Sequence, residues 1–68
     1  MTEMPLDVLE NALDSEVEVR LKDGDVFEGR LRSFDQHMNL VLEDAVRNSD
    51  ENEGTTIIRG DNVVSINP

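Results

Sequence analysis

Glu16-Val17-Glu18-Val19-Arg20-Leu21-Lys22 runs into Asp23-Gly24, and Val26-Phe27-Glu28-Gly29-Arg30-Leu31-Arg32-Ser33-Phe34 follows. Val17, Val19 and Leu21 alternate with charged residues, a period of two that gathers the apolar side chains on one face of a strand. Asp23 and Gly24 both accept positive φ, which a tight hairpin turn requires. Past the turn, Phe27, Gly29 and Leu31 share one face, and Glu28, Arg30 and Arg32 the other. Gly29 has no side chain to pack, so it marks a sharp bend or a close backbone approach. A bent antiparallel hairpin is the nucleus of the fold.

Upstream, Pro5-Leu6-Asp7-Val8-Leu9-Glu10-Asn11-Ala12-Leu13 predicts a short helix over 5–13. Pro5 suits the first helical position, and Asp7 and Glu10 suit the positive end of the dipole. Leu6, Leu9 and Leu13 make one apolar stripe. Downstream, a third strand is expected from Met38 to Glu43, with Met38, Leu40 and Leu42 on one face. The acidic stretch 45–54, poor in apolar residues, reads as a solvated variable loop. Thr55 to Arg59 is a β-branched strand, Gly60-Asp61-Asn62 a turn, and Val63 to Ile66 a final strand.

The fold class is therefore mainly β: an N-terminal short helix and a strongly bent five-stranded antiparallel sheet, a small open barrel. Ile57, Ile58, Val63, Val64 and Ile66 make the last two strands apolar, without the Lys or Pro that blunts an exposed edge. Such edges are covered or pair with another copy, and head-to-tail pairing closes a ring when the rotation permits.

Composition narrows the function. The 68 residues amount to a single small domain over 1–68, carrying six basic and 16 acidic residues for a formal charge of -10. A groove tracking duplex DNA is normally basic, so no duplex DNA partner is expected. The acidic surface, with Lys22 its single lysine, suits a salt-rich cytoplasm, where charges are screened within about 3 Å at 1 M. It also suits an ordinary acidic protein. The chain has no cysteine, which removes disulfides and thiolate metal sites, and leaves oligomerisation as the expected extra support for so small a core. Met1 to Leu6 has no basic start and no long apolar run, which predicts no signal peptide. No stretch nears the ~20 apolar residues of a membrane span. A cytoplasmic protein with no membrane partner is expected.

Catalysis finds little support. His37 is the one histidine, and Ser15, Ser33, Ser49 and Ser65 sit in no nucleophile elbow. Gly24, Gly29, Gly54 and Gly60 lack the spacing of a phosphate loop. A binding protein, not an enzyme, is expected, with no cofactor and no metal. Two polar turns stand out: Asp35-Gln36-His37-Met38-Asn39 and Arg59-Gly60-Asp61-Asn62. An imidazole and a guanidinium can sandwich a nucleobase, and an Asn amide can pair with its edge. Equally, His37 can be a plain surface residue, Arg59 can pair with Asp61, and the Asp and Asn residues can simply form turns.

Residues 17–44 resemble the first Sm motif of the Sm and Sm-like RNA-binding family in the alternating strand, Gly24, the Gly29 bend, Asp35, Asn39 and Leu40-Val41-Leu42. Residues 55–66, with Ile57-Ile58-Arg59-Gly60-Asp61-Asn62-Val63-Val64-Ser65-Ile66 at their centre, resemble the second motif in its archaeal and eukaryotic form. The bacterial Hfq branch has Lys-His where this chain has Arg-Gly. The resemblance implies a homo-oligomeric ring, usually of seven copies, that binds single-stranded uridine-rich RNA at the pore rim as a chaperone or platform for small RNAs. It implies that His37 and Arg59 stack on the two faces of uracil and that Asn39 bonds the base edge. Gly60 and Asp61 would shape the pocket floor, and Asp35 would brace the loop. Met4 and Phe34 stand where some archaeal members carry a basic residue and a tyrosine for a second RNA contact. The alternative is a ring that scaffolds proteins and has little RNA affinity, which the net charge favours.

Overall fold

A computed structural model describes residues 6–67. Helix α1 (Leu6–Ala12) leads into β1 (Glu16–Leu21), β2 (Val26–Phe34), β3 (Leu40–Arg47), β4 (Glu51–Ile58) and β5 (Val63–Asn67), with a 3-10 turn at Gly60–Asn62 before the last strand. All neighbours are antiparallel, in the order β4-β3-β2-β1-β5. The expected helix-plus-five-strand architecture is the one observed. Pro5, expected to open the helix, lies outside the described residues.

Helix α1 buries Leu9 and Ala12, while Leu13 is 39 % exposed. The stripe expected through Leu13 is therefore corrected: the helix has already ended. Asp14 takes φ 66°, and the Ser15 N–H and hydroxyl both donate to the Ala12 carbonyl, at 3.0 and 2.6 Å. The exit is fastened to β2 by Asp14 N–H to Leu31 O (2.8 Å) and Leu31 N–H to Ser15 O (3.0 Å). Arg32 then reaches Asp14 at 2.6 Å.

The core fills the concave side of the sheet. Leu31, Leu40, Leu42 and Val19 are fully buried there beside Leu9. Phe27, Gly29 and Leu31 share the buried face of β2, as the alternation predicts. The bend at Gly29 has a specific cause. A Cβ there would lie 3.0 Å from Glu43 O and 3.1 Å from the Ala45 Cα, so β3 presses on the β2 backbone. Opposite it the pairing shifts register between Glu28 and Arg30, and Asp44 takes φ 54°. A bulge of this kind curls the sheet.

The acidic stretch 45–54 is not a loop. β3 continues to Arg47 and β4 begins at Glu51, with Asn48 (φ 53°) and Ser49 (φ 71°) making the turn. Two successive left-handed residues match the right-handed twist of a hairpin. Asn48 Oδ1 accepts from Val26 N–H at 2.9 Å and its Nδ2 donates to Asp25 at 3.1 Å, so the tip is tied to the β1–β2 turn. Arg47 sits among Glu51, Glu53 and Asp25. Residues 51–55 are all exposed, so this part of the ribbon needs no apolar alternation to be a strand. The third strand likewise starts at Leu40, because Met38 takes φ 66° in the preceding turn.

Edge strands β4 and β5 carry the two most exposed large apolar side chains among the described residues, Ile57 (72 %) and Val64 (61 %). No described helix is long and apolar enough to cross a membrane.

Candidate nucleic-acid interface

The β2–β3 turn is built around one carboxylate. Asp35 Oδ1 accepts from the backbone N–H of His37 (2.8 Å) and of Asn39 (3.1 Å), and Oδ2 accepts from Asn39 Nδ2 at 2.9 Å. Backbone bonds from Met38 N–H to Asp35 O (3.0 Å) and from Asp35 N–H to Asn39 O (3.2 Å) close the turn. An Asp at the start of such a turn replaces backbone partners that the tight path cannot supply.

Asn39 joins this turn to the one after β4. Its Oδ1 accepts from Gly60 N–H at 2.8 Å while its Nδ2 is held by Asp35. The amide orientation is therefore fixed from both ends, with one Nδ2 hydrogen and one Oδ1 lone pair still free. Gly60 is pressed against the first turn: a Cβ there would fall 2.0 Å from His37 O and 2.9 Å from Met38 C. No other residue fits this approach without moving one of the two turns.

Between the turns lies an open depression of about 470 Å³ lined by His37, Asn39, Arg59, Gly60 and Asp61. Thus the five residues expected to bind share one concavity, and Asp35 stands behind it. His37 and Arg59 are exposed. Arg59 Nη2 lies 3.2 Å from Asp61 Oδ2, so the pairing read as the plain alternative also exists. A neighbouring hollow of about 460 Å³ shares the Asn39 and Arg59 walls and adds Ser33, Phe34, Val41 and Ile57. Sequence patterning gives no sign of this second hollow, because its residues come from three strands with no common motif.

Chemically, the depression offers a flat cation, an imidazole and an oriented amide, with backbone at its floor. That set suits a planar heterocycle with donor and acceptor groups on one edge. It has no nucleophile beside an oriented base.

The Asp35 carboxyl is held below the ordinary carboxylate range, first by the Asn39 side chain, then by the Asn39 N–H, with the His37 N–H and the His37 charge adding and desolvation opposing. A depressed folded value stabilises the turn at any pH above the unfolded value, and this contribution is lost as pH falls through the folded value. In an acid titration followed by NMR, the His37 and Asn39 amide signals should move together, with a midpoint below about 3.9, the value of a free Asp. A midpoint at or above that value rejects the bracing role of the carboxylate.

A bent five-stranded sheet with open edge strands and this two-turn depression defines a small β-domain. Residues 7–68 match the model of the LSM domain. The chain is 49 % identical, over 72 aligned positions covering all of both chains, to an snRNP Sm-like protein of Methanosarcina barkeri. It is similar to the Sm protein of Pyrococcus abyssi solved in complex with a uridine heptamer, with TM-score 0.89 and 47 % identity over 97 % of this chain and 99 % of that one. A heptameric archaeal Sm protein gives TM-score 0.84 at 45 % identity, over 91 % of this chain and 96 % of the other. The chain belongs to the Sm-like (LSm) family, among its archaeal members.

Proposed function

We propose that this chain forms a seven-membered ring through its β4 and β5 edges and binds single-stranded uridine-rich RNA, one base in each His37–Arg59 depression. The observation that carries the reading is the Asp35–Asn39–Gly60 network, which brings five candidate contact residues from two distant turns to one hollow. The uridine complex of the Pyrococcus abyssi relative and the heptamer of the similar archaeal protein support the ligand and the ring. In this reading His37 and Arg59 stack on the base. Asn39 uses its free hydrogen and lone pair on the base edge, and Gly60 and Asp61 form the floor. The role is binding without turnover, as a cytoplasmic RNA chaperone or platform in small-RNA metabolism.

Seven subunits at -10 each sum to a formal -70, a field that repels RNA at low salt. Stacking and base-edge bonds need few phosphate contacts, and repetition around a ring multiplies weak pockets by effective concentration. Fluorescence anisotropy with labelled oligo(U) and oligo(A), from low to molar KCl, tests this. Oligo(U) should bind in preference to oligo(A), with affinity falling by about 0.7 log units per decade of salt for each phosphate held, and with fewer phosphates held than bases. A steeper fall, implying many neutralised phosphates, counts against the pocket mechanism. The net charge favours a second reading, a scaffold ring for proteins. An oligomer verified by sedimentation that binds neither RNA at any salt would establish that reading instead.

A further inference from the structure

Four of the six basic side chains of this chain are committed to carboxylates: Arg20, Arg32, Arg47 and Arg59 each lie within 4.0 Å of at least one. Among the described residues, Lys22 and Arg30 make no such pair. Their positions differ. Arg30 lies within β2, in register with Glu16 on β1 and Glu43 on β3, and does not line the depression. Lys22 follows β1, and its N–H donates to Asn62 O at 2.9 Å. Asn62 in turn donates its N–H to Arg59 O at 3.1 Å, closing the turn that carries Arg59, Gly60 and Asp61. A backbone bond thus seats Lys22, the single lysine of the chain, against the pocket turn, with an exposed side chain.

The pocket itself has no spare positive charge. Arg59 is the only Lys or Arg among its lining residues, and Asp61 neutralises it. A nucleotide placed there would bring a phosphate to a hollow whose one carboxylate, Asp61, faces Arg59, on a chain of net charge -10. An ammonium on a flexible four-carbon stem is suited to meet a phosphate as a point charge without fixed geometry. We propose that Lys22 is the residue that contacts the sugar-phosphate backbone of the RNA whose base occupies the His37–Arg59 depression. The assignment rests on the RNA-binding reading above and divides the labour: the depression reads the base, and Lys22 holds the strand.

A phosphate contact weakens binding uniformly when removed and lowers the salt dependence, whereas a base contact changes sequence preference. The test is the same anisotropy titration on the assembled protein, comparing wild type with Lys22→Gln, Lys22→Arg and Arg30→Gln, each checked for ring size by sedimentation. Lys22→Gln should weaken oligo(U) by up to about fivefold per occupied pocket at low salt, the range of an exposed ion pair. The loss should shrink as KCl rises, because the salt slope falls by about 0.7 for each phosphate contact removed. The ratio of oligo(U) to oligo(A) affinity should stay unchanged. Lys22→Arg should keep the wild-type slope, and Arg30→Gln should match wild type. An unaltered slope in Lys22→Gln, or an equal fall in slope for Arg30→Gln, overturns the assignment while leaving base recognition intact. Loss of oligo(U) preference in Lys22→Gln also overturns it, since that makes Lys22 a base contact. Failure of the wild-type ring to prefer oligo(U) overturns the pocket reading itself.

Discussion

A Gly60→Ala variant should lose its preference for oligo(U) and unfold at markedly lower urea. The added Cβ would sit 2.0 Å from His37 O, so one of the two turns must move. Forcing atoms into a filled space costs about 1–3 kcal/mol, and separating the turns also breaks the Gly60 N–H bond to Asn39 Oδ1, worth about 1 kcal/mol. A small domain has only about 5 kcal/mol of stability to lose. Gly54→Ala is the control. Gly54 has φ 66°, but a Cβ there meets nothing within 4 Å. Its cost is the left-handed penalty alone, about 1–2 kcal/mol, and the depression is untouched. Urea unfolding and oligo(U) anisotropy on both variants decide the matter. Equal RNA affinity in the two would show that the contact between the turns does not shape the pocket.

His37→Ala and Arg59→Ala should do the opposite, removing affinity while leaving the fold alone. Both side chains are exposed, and Arg59 contributes only a surface pair with Asp61. Each stacking partner is worth about 1–3 kcal/mol per base, so each single variant should weaken oligo(U) from about fivefold to about a hundredfold per pocket. The double variant should bind oligo(U) and oligo(A) alike, with an unchanged urea midpoint. Asn39→Ala should fail on both counts, because its amide fastens Asp35 to Gly60 as well as facing the hollow. A double variant that still prefers oligo(U) would exclude the sandwich.

The alternation of Val17, Val19 and Leu21, and of Phe27, Gly29 and Leu31, made the central hairpin and its bend readable, because burial on one face is written directly into a period of two. The hairpin at Asn48-Ser49 was not readable in the same way. Exposed residues 51–55 have no buried face to record, and the strand is held by cross-strand backbone bonds and side-chain ties to Val26 and Asp25, distant in sequence. Leu13 shows a related limit: periodicity marks it as apolar, but the turn at Asp14 removes it from the core. Within the site, residue types and motif resemblance pointed to His37, Asn39, Arg59, Gly60 and Asp61. That Gly60 is needed for contact with His37 O, rather than for a positive φ, follows only from three-dimensional packing.

The open edges β4 and β5 have a consequence for how this chain tolerates change. In a closed ring of identical subunits every junction is the same junction, so one substitution on an edge strand is written into all of them at once. In the proposed ring of seven, a surface change of roughly 0.5 kcal/mol, negligible in a monomer, would be summed seven times to about 3.5 kcal/mol for the assembly. Symmetry would therefore act as an amplifier: in the proposed ring, a change at Ile57 or Val64, exposed in the single chain, would cost the assembly what a core change costs a monomer.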